Sequence, residues 1–214
     1  MPLKGILCKE GESARPALRG SLFHLRLLST SQEVISMNTN HSIRMQVLCA
    51  LFAAVCAVCS QLTIPIQPVP ITLGTFGVLM AGGFLGKRYG LLALLIYLIL
   101  GAAGVPVFSM MRAGISVLAG PSGGFILGFA PMAFVVGLVS EKLGHTFKPM
   151  LAATLAGTAV CYVMGIGWFM FLTGTGMWSA MVMCMFPFLP GDLAKIILAS
   201  FLVAKYRKTL IERD

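Results

Sequence analysis

Six apolar blocks, at 45–62, 71–85, 89–103, 125–143, 150–173 and 186–206, make up most of this chain, and the stretches between them are short. A bilayer's hydrocarbon core of about 30 Å takes roughly 20 mostly apolar residues in helical form, so these blocks read as spanning helices. The second and third hold about 15 residues each, roughly 22 Å of helix, and either borrow flanking residues or sit in thinned bilayer. Fusing them would bury Lys87 and Arg88 in mid-span, where charge is costly. A hairpin with both cations at the bend avoids that. With 57% hydrophobic and 11% charged residues, the expected fold class is an all-α membrane protein of six transmembrane helices, with no separate soluble domain.

Loop charge orients such a bundle, because Lys and Arg collect on the cytoplasmic side. Six spans put Arg44, Lys87, Arg88, Lys142, Lys148, Lys205, Arg207, Lys208 and Arg213 on one side and only Arg112 on the other. Both termini are therefore expected in the cytoplasm, in the plasma membrane, and the last helix runs inward. The net charge of +9 is scattered over loops and ends, which suits an anionic leaflet rather than nucleic acid. Residues 1–36 are basic and Ser-rich with only short apolar clusters, and lack a signal-peptide core. They read as a leader that is disordered or wrongly joined to the chain, with Met37 as the start. The spanning domain is then 37–208, and 209–214 is a cytoplasmic tail.

Asp192 and Lys195 stand alone in the apolar part of the chain, since every other Asp, Glu, Lys or Arg falls in a terminal extension or near an inferred helix end. Each costs about 2.5–3.5 kcal/mol near a bilayer's centre, so such residues usually face a cavity or the bundle interior. Three positions apart on a helix, they project from one face. Two readings stand: an internal ion pair that only joins helices, or a ligand site in which the carboxylate accepts N–H bonds and the ammonium neutralises an anion. Pro187, Pro190 and Gly191 just before them interrupt the helix and free backbone groups that need a polar cavity. The region 174–185, apolar and uncharged, forms either a re-entrant turn or an extension of the last helix.

Three further Gly- and Pro-rich stretches, QPVPITLG at 67–74, GAAGVPVF at 101–108 and GPSGGF at 120–125, fall on the same outer face as Asp192. Irregular backbone at this depth lines a cavity or is buried in protein, so these loops are expected to wall one outward-facing pocket. Phe108, Phe125, Tyr162, Trp168 and Phe169 are candidate aromatic walls, with Tyr162 and Trp168 equally readable as interfacial anchors.

These strings and PFLPGDLAK at 187–195, in this order and spacing, resemble the BioY family, the biotin-specific substrate-binding subunits of energy-coupling factor (ECF) vitamin transporters. The resemblance runs from Arg44 to Lys208. It implies an S-component-like bundle of six helices with cytoplasmic termini, which binds biotin as transported ligand without a cofactor, and partners in an ECF transmembrane coupling subunit and ABC-type ATPases. It also places Asp192 and Lys195 in the biotin site. Complementarity assigns Asp192 to the ureido N–H groups and Lys195 to the valerate carboxylate, with exchanged or shared roles open. Gly104 and the loop after Pro106 help to close the site, with Phe108 and Gly124 beside it. The chain departs from the family where Ser109, Met110 and Met111 follow Phe108, a run short of polar groups. Arg112 either supplies a second cation or faces solvent. In the first helix, Ala50, Ala53, Ala54 and Ala57 form two overlapping small-xxx-small patterns, resembling the surface by which such subunits dock on the coupling protein. Internal packing is the competing reading.

No enzyme is expected. His24, His41 and His145 lie in the leader or cytoplasmic loops, out of reach of a bundle-interior nucleophile or metal. The phosphate-loop-like run at 82–88 has Ala81 in place of its first Gly and Arg88 in place of Ser or Thr. The six cysteines lack metal-site spacing and read as packing residues. A self-sufficient proton-coupled carrier of a small carboxylate and an intramembrane enzyme using Asp192 are the alternatives.

Overall fold

A computed structural model describes residues 43–65 and 69–211. The expected leader at 1–36 and the end of the tail at 212–214 lie outside the described residues. Helix α1 covers Ile43–Gln61. An antiparallel pair follows, β1 (Thr63–Ile64) with β2 (Ile71–Thr72), in register Thr63 to Thr72 and Ile64 to Ile71. Then come α2 (Gly74–Ala102), a 3-10 turn at Ser109–Met111, α3 (Ile115–Ala119), α4 (Gly123–Leu143), α5 (Phe147–Thr173), α6 (Met177–Cys184) and α7 (Leu189–Ile211). Among the described residues, α1, α2, α4 and α5 are long and apolar enough to cross a membrane, and α6 with α7, bent by 59° between them, makes a fifth candidate.

The expected second and third blocks form one helical run, α2, broken at Gly86 with φ 77° and ψ −175°. That break turns the chain back on itself. Ser60 Oγ lies 3.0 Å from Tyr97 Oη and 2.8 Å from where a Cβ on Gly74 would stand, whereas 23 residues of straight helix separate their ends by about 35 Å. Only a residue free to take a positive φ suits this bend, which is why a glycine precedes Lys87. Residues 174–185, left open between two readings, contain the short helix α6, set at an angle to α7. Pro190 lies in the first turn of α7, where its missing N–H has no intrahelical partner to lose.

Charged and polar contacts sort the two ends of the bundle. At one end Lys87 Nζ lies 3.0 Å from Glu141 Oε2, Lys87 N donates to Glu141 Oε1 at 2.9 Å, and Arg207 meets His145. The α2 bend, the α4–α5 turn and the end of α7 therefore meet there. At the other end, Gln61 Nε2 donates to the carbonyls of Pro106 at 3.0 Å and Phe108 at 3.1 Å, and Trp168 Nε1 donates to Gly120 O at 3.1 Å. Between them α4 and α5 approach closely through glycines: a Cβ on Gly157 would meet Val136 at 2.4 Å, and one on Gly124 would meet Trp168 at 2.2 Å. In a membrane such small-residue contacts and inter-helix hydroxyl bonds replace the hydrophobic drive between helices. Thr154 Oγ1 and Ser200 Oγ, both buried and 3.0 Å apart, supply one between α5 and α7.

Candidate functional site

Asp192 sits in the first turn of α7, where a negative charge is favoured by the helix dipole, and Lys195 follows one turn on. Both are buried, at 7% and 8% exposure, with Lys195 Nζ 2.9 Å from Asp192 Oδ1. The ammonium also donates to Thr72 O at 2.6 Å and Thr75 Oγ1 at 3.2 Å. A lysine has three N–H bonds, and all three are in use. Lys195 thus ties α7 to the end of β2 and the first turn of α2. The second carboxylate oxygen, Oδ2, accepts from the Tyr162 hydroxyl of α5 at 2.5 Å. With one bond to each oxygen, Asp192 still has acceptor capacity.

Beside this group opens a cavity of about 440 Å³, mouth included, walled by Phe125, Phe129 and Phe188, roofed by Val69 and Pro70, and edged by Thr75, Thr158 and Tyr162. The mix of apolar walls with a few converging polar groups is what small-molecule sites share. A second cavity of about 350 Å³ shares Val69, Pro70, Thr72, Phe125 and Phe129 with the first and adds Ser60, Tyr97, Ser109 and Ser122. On the other flank, an open groove lined by Met170, Met177, Met181 and Met185 runs between α5 and the α6–α7 pair and reaches Thr158, Tyr162 and Asp192. The Tyr162–Asp192 hydrogen bond therefore stands between a polar cavity and an apolar, Met-lined groove.

The other residues singled out from sequence are placed differently. Gly104 is exposed with φ 104° and nothing within 4 Å of where its Cβ would be, outside both cavities. Phe108 is fully buried, its ring edge-on to Tyr97 at 5.7 Å and seated on Gly101, where a Cβ would lie 2.1 Å from the ring. It anchors its loop rather than walling the Asp192 cavity. Gly124 is a helix contact against Trp168 for the same steric reason. Arg112 is exposed and its Nε donates to Ser109 O at 3.4 Å. Of the four alanines on α1, Ala53 is buried and Ala57 half-buried against the core, while Ala50 and Ala54 face outward beside Val47, Leu51, Val55 and Val58. The two overlapping patterns thus split, one serving internal packing and one left on the surface.

Sequence reasoning named Tyr162 and the 67–74 stretch as candidate walls of the pocket but gave no polar role to Tyr162, Thr72 or Thr75. Tyr162 was readable as ring or anchor, and its bond to Asp192 could have been sought only by asking what else a buried carboxylate needs. Thr75 and the Thr72 carbonyl carried no signal, since their role depends on how β2 docks against α7.

The BioY family model matches residues 33–212. The chain belongs to the BioY family. Among its relatives, the biotin transporter BioY of Thermotoga maritima is 36% identical over 170 residues, covering 79% of this chain and 99% of the relative. The biotin transporter BioY of Rhizobium etli is 41% identical over 173 residues, covering 75% and 91%. Among solved structures, the S-component for biotin from an ECF-type ABC transporter superposes with a TM-score of 0.74 at 29% identity, covering 79% of this chain and 93% of that one. BioY membership makes this a transporter-family membrane protein with the S-component fold.

Proposed function

We propose that this chain is a biotin-binding membrane subunit that takes biotin from the outer face and passes it inward, driven by partner ATPases through an ECF coupling subunit. One observation carries the reading: a buried acceptor with unused lone pairs, Asp192, held in place by Lys195 and Tyr162 at the wall of a cavity with aromatic sides. A cyclic urea presents N–H donors to such a group. Because Lys195 has no free N–H, its task is to orient and neutralise Asp192. That revises its assignment to the valerate carboxylate.

Six spans follow from counting the two arms of α2 separately and α6 with α7 as one. The cations at the α2 bend, the α4–α5 turn and the end of α7 favour that end as cytoplasmic, which leaves the cavity facing out. Arg112, exposed on the loop beside Ser109, is then the loop cation of the outer face. Titration calorimetry of the detergent-purified chain is expected to give one biotin per chain and no heat with thiamine. Absence of biotin binding sinks the reading, and uptake by the chain alone in sealed vesicles, collapsed by an ionophore, would replace it with a secondary carrier.

The outward pair Ala50 and Ala54 is the proposed docking surface for the coupling subunit, because small residues let a partner helix approach closely. Ala54→Trp is expected to leave biotin binding intact and reduce ATP-driven uptake in cells supplying the partners to near background. Wild-type uptake by that variant would remove α1 from the coupling contact.

A further inference from the structure

The loop between α2 and α3 carries two consecutive non-glycine residues in the left-handed region, Met110 at φ 62° and Met111 at φ 56°. There the Cβ of an L residue crowds the following carbonyl oxygen. Neither side chain is buried to offset that cost, being 53% and 70% exposed. Such strain persists where the surrounding structure holds it in place. Here the holding group is Gln61, the last residue of α1. Its Nε2 donates to Pro106 O at 3.0 Å and Phe108 O at 3.1 Å, and its Oε1 accepts from Met111 N at 3.0 Å. Both N–H groups and the oxygen of one carboxamide are thus engaged by a single loop. The base of that loop has other ties, since the Tyr97 hydroxyl donates to Val107 O at 3.3 Å and the Phe108 ring is seated on Gly101. Gln61 reaches the tip, beside Ser109, which lines the second cavity.

Resting on the biotin reading above, we propose that Gln61 is the catch of a strained loop: its carboxamide holds residues 106–111 against the end of α1 and so retains the ligand, and the loop opens when these bonds break. The strain at Met110 and Met111 opposes the catch, so opening relaxes the backbone and closure depends on the amide. Its orientation matters, because the N–H groups face two carbonyls and the oxygen faces an N–H. A carboxylate of the same shape keeps the bond from Met111 N but turns an acceptor toward Pro106 O and Phe108 O.

Arg112, exposed at the end of this loop, gives a readout that needs no ligand, since the rate of tryptic cleavage after it follows the population of the open loop. A neutral hydrogen bond is worth roughly 2- to 10-fold in such an equilibrium, so Gln61→Glu, which loses two and adds repulsion, is expected to raise that rate about 10-fold or more. In the same variant biotin should dissociate about 10-fold faster or more. Stoichiometry and the melting temperature of the ligand-free chain should stay unchanged, which a general folding defect would not give. At position 111, a β-branched side chain tolerates the left-handed region worst and Asn is among the best. Met111→Ile is therefore expected to speed cleavage, and Met111→Asn to leave it at or below the wild-type rate. Wild-type cleavage of Gln61→Glu, or faster cleavage with biotin dissociation unchanged, overturns the catch. Equal cleavage of the two position-111 variants removes strain from it. A wild-type chain that binds no biotin overturns the biotin reading, while the cleavage rates still decide whether Gln61 holds the loop.

Discussion

Asp192→Asn is expected to abolish measurable biotin binding and to destabilise the protein, and the two losses are separable. Breaking a buried ion pair by removing one partner costs about 3–5 kcal/mol, because the surviving charge is left uncompensated. Here the survivor is Lys195, held in place by Thr72 O and Thr75 Oγ1. Replacing both charges with neutral groups, by contrast, is often neutral or stabilising by about 1–4 kcal/mol. The double variant Asp192→Asn with Lys195→Met should therefore recover the wild-type melting temperature, or exceed it, and still fail to bind. Calorimetry and thermal unfolding on the same three proteins decide the matter. Recovery of binding along with stability would mean that the pair only joins helices, and the ligand site would have to be sought elsewhere.

The pair was legible in the sequence because two ionisable residues three apart in an apolar block have few places to go. Position 86 was legible for a related reason, since Lys87 and Arg88 made a continuous span costly. The boundaries of the fourth and fifth blocks lie within three residues of α4 and α5, where Ser122 and Lys142 in one case and Thr173 in the other mark a change from apolar to polar chain. Rotation about a helix axis was not legible. Ala53 and Ala54 are adjacent in sequence and chemically identical, yet one is buried and the other outward. Small residues repeat on several faces of α1, so their spacing does not say which face is inside. Glycines raised the same difficulty: Gly104 and Gly124 read alike in loop-rich strings, but one stands free and the other lets two helices meet.

Gly137→Ala should be among the most damaging single substitutions in the chain, although it adds one methyl group to a helix. A Cβ at this position of α4 would lie 2.2 Å from Lys87 N and 2.4 Å from the Gly86 carbonyl carbon. Both are backbone atoms, with no side-chain rotamer to relieve the contact. One turn further along, Glu141 Oε1 accepts from Lys87 N at 2.9 Å, so the bend of α2 docks on one face of α4 through Gly137 and Glu141 together. Moving the bend away would break that hydrogen bond and expose the Gly86 turn, which holds φ at 77°. Overpacking a core side chain costs about 1–3 kcal/mol, and a backbone-on-backbone clash should exceed the upper figure, about 3 kcal/mol or more. Gly86→Ala should fall below it, at about 1–3 kcal/mol for the strained conformation, with its Cβ 2.6 Å from Glu141 Oε1. Gly167→Ala, on an exposed stretch of α5 with nothing within 4 Å of the new methyl, should leave stability unchanged or raise it by about 0.5–1 kcal/mol. Thermal unfolding of the three variants in one detergent tests the order. A Gly137→Ala protein as stable as wild type would mean that the bend of α2 does not rest on α4 through Gly137.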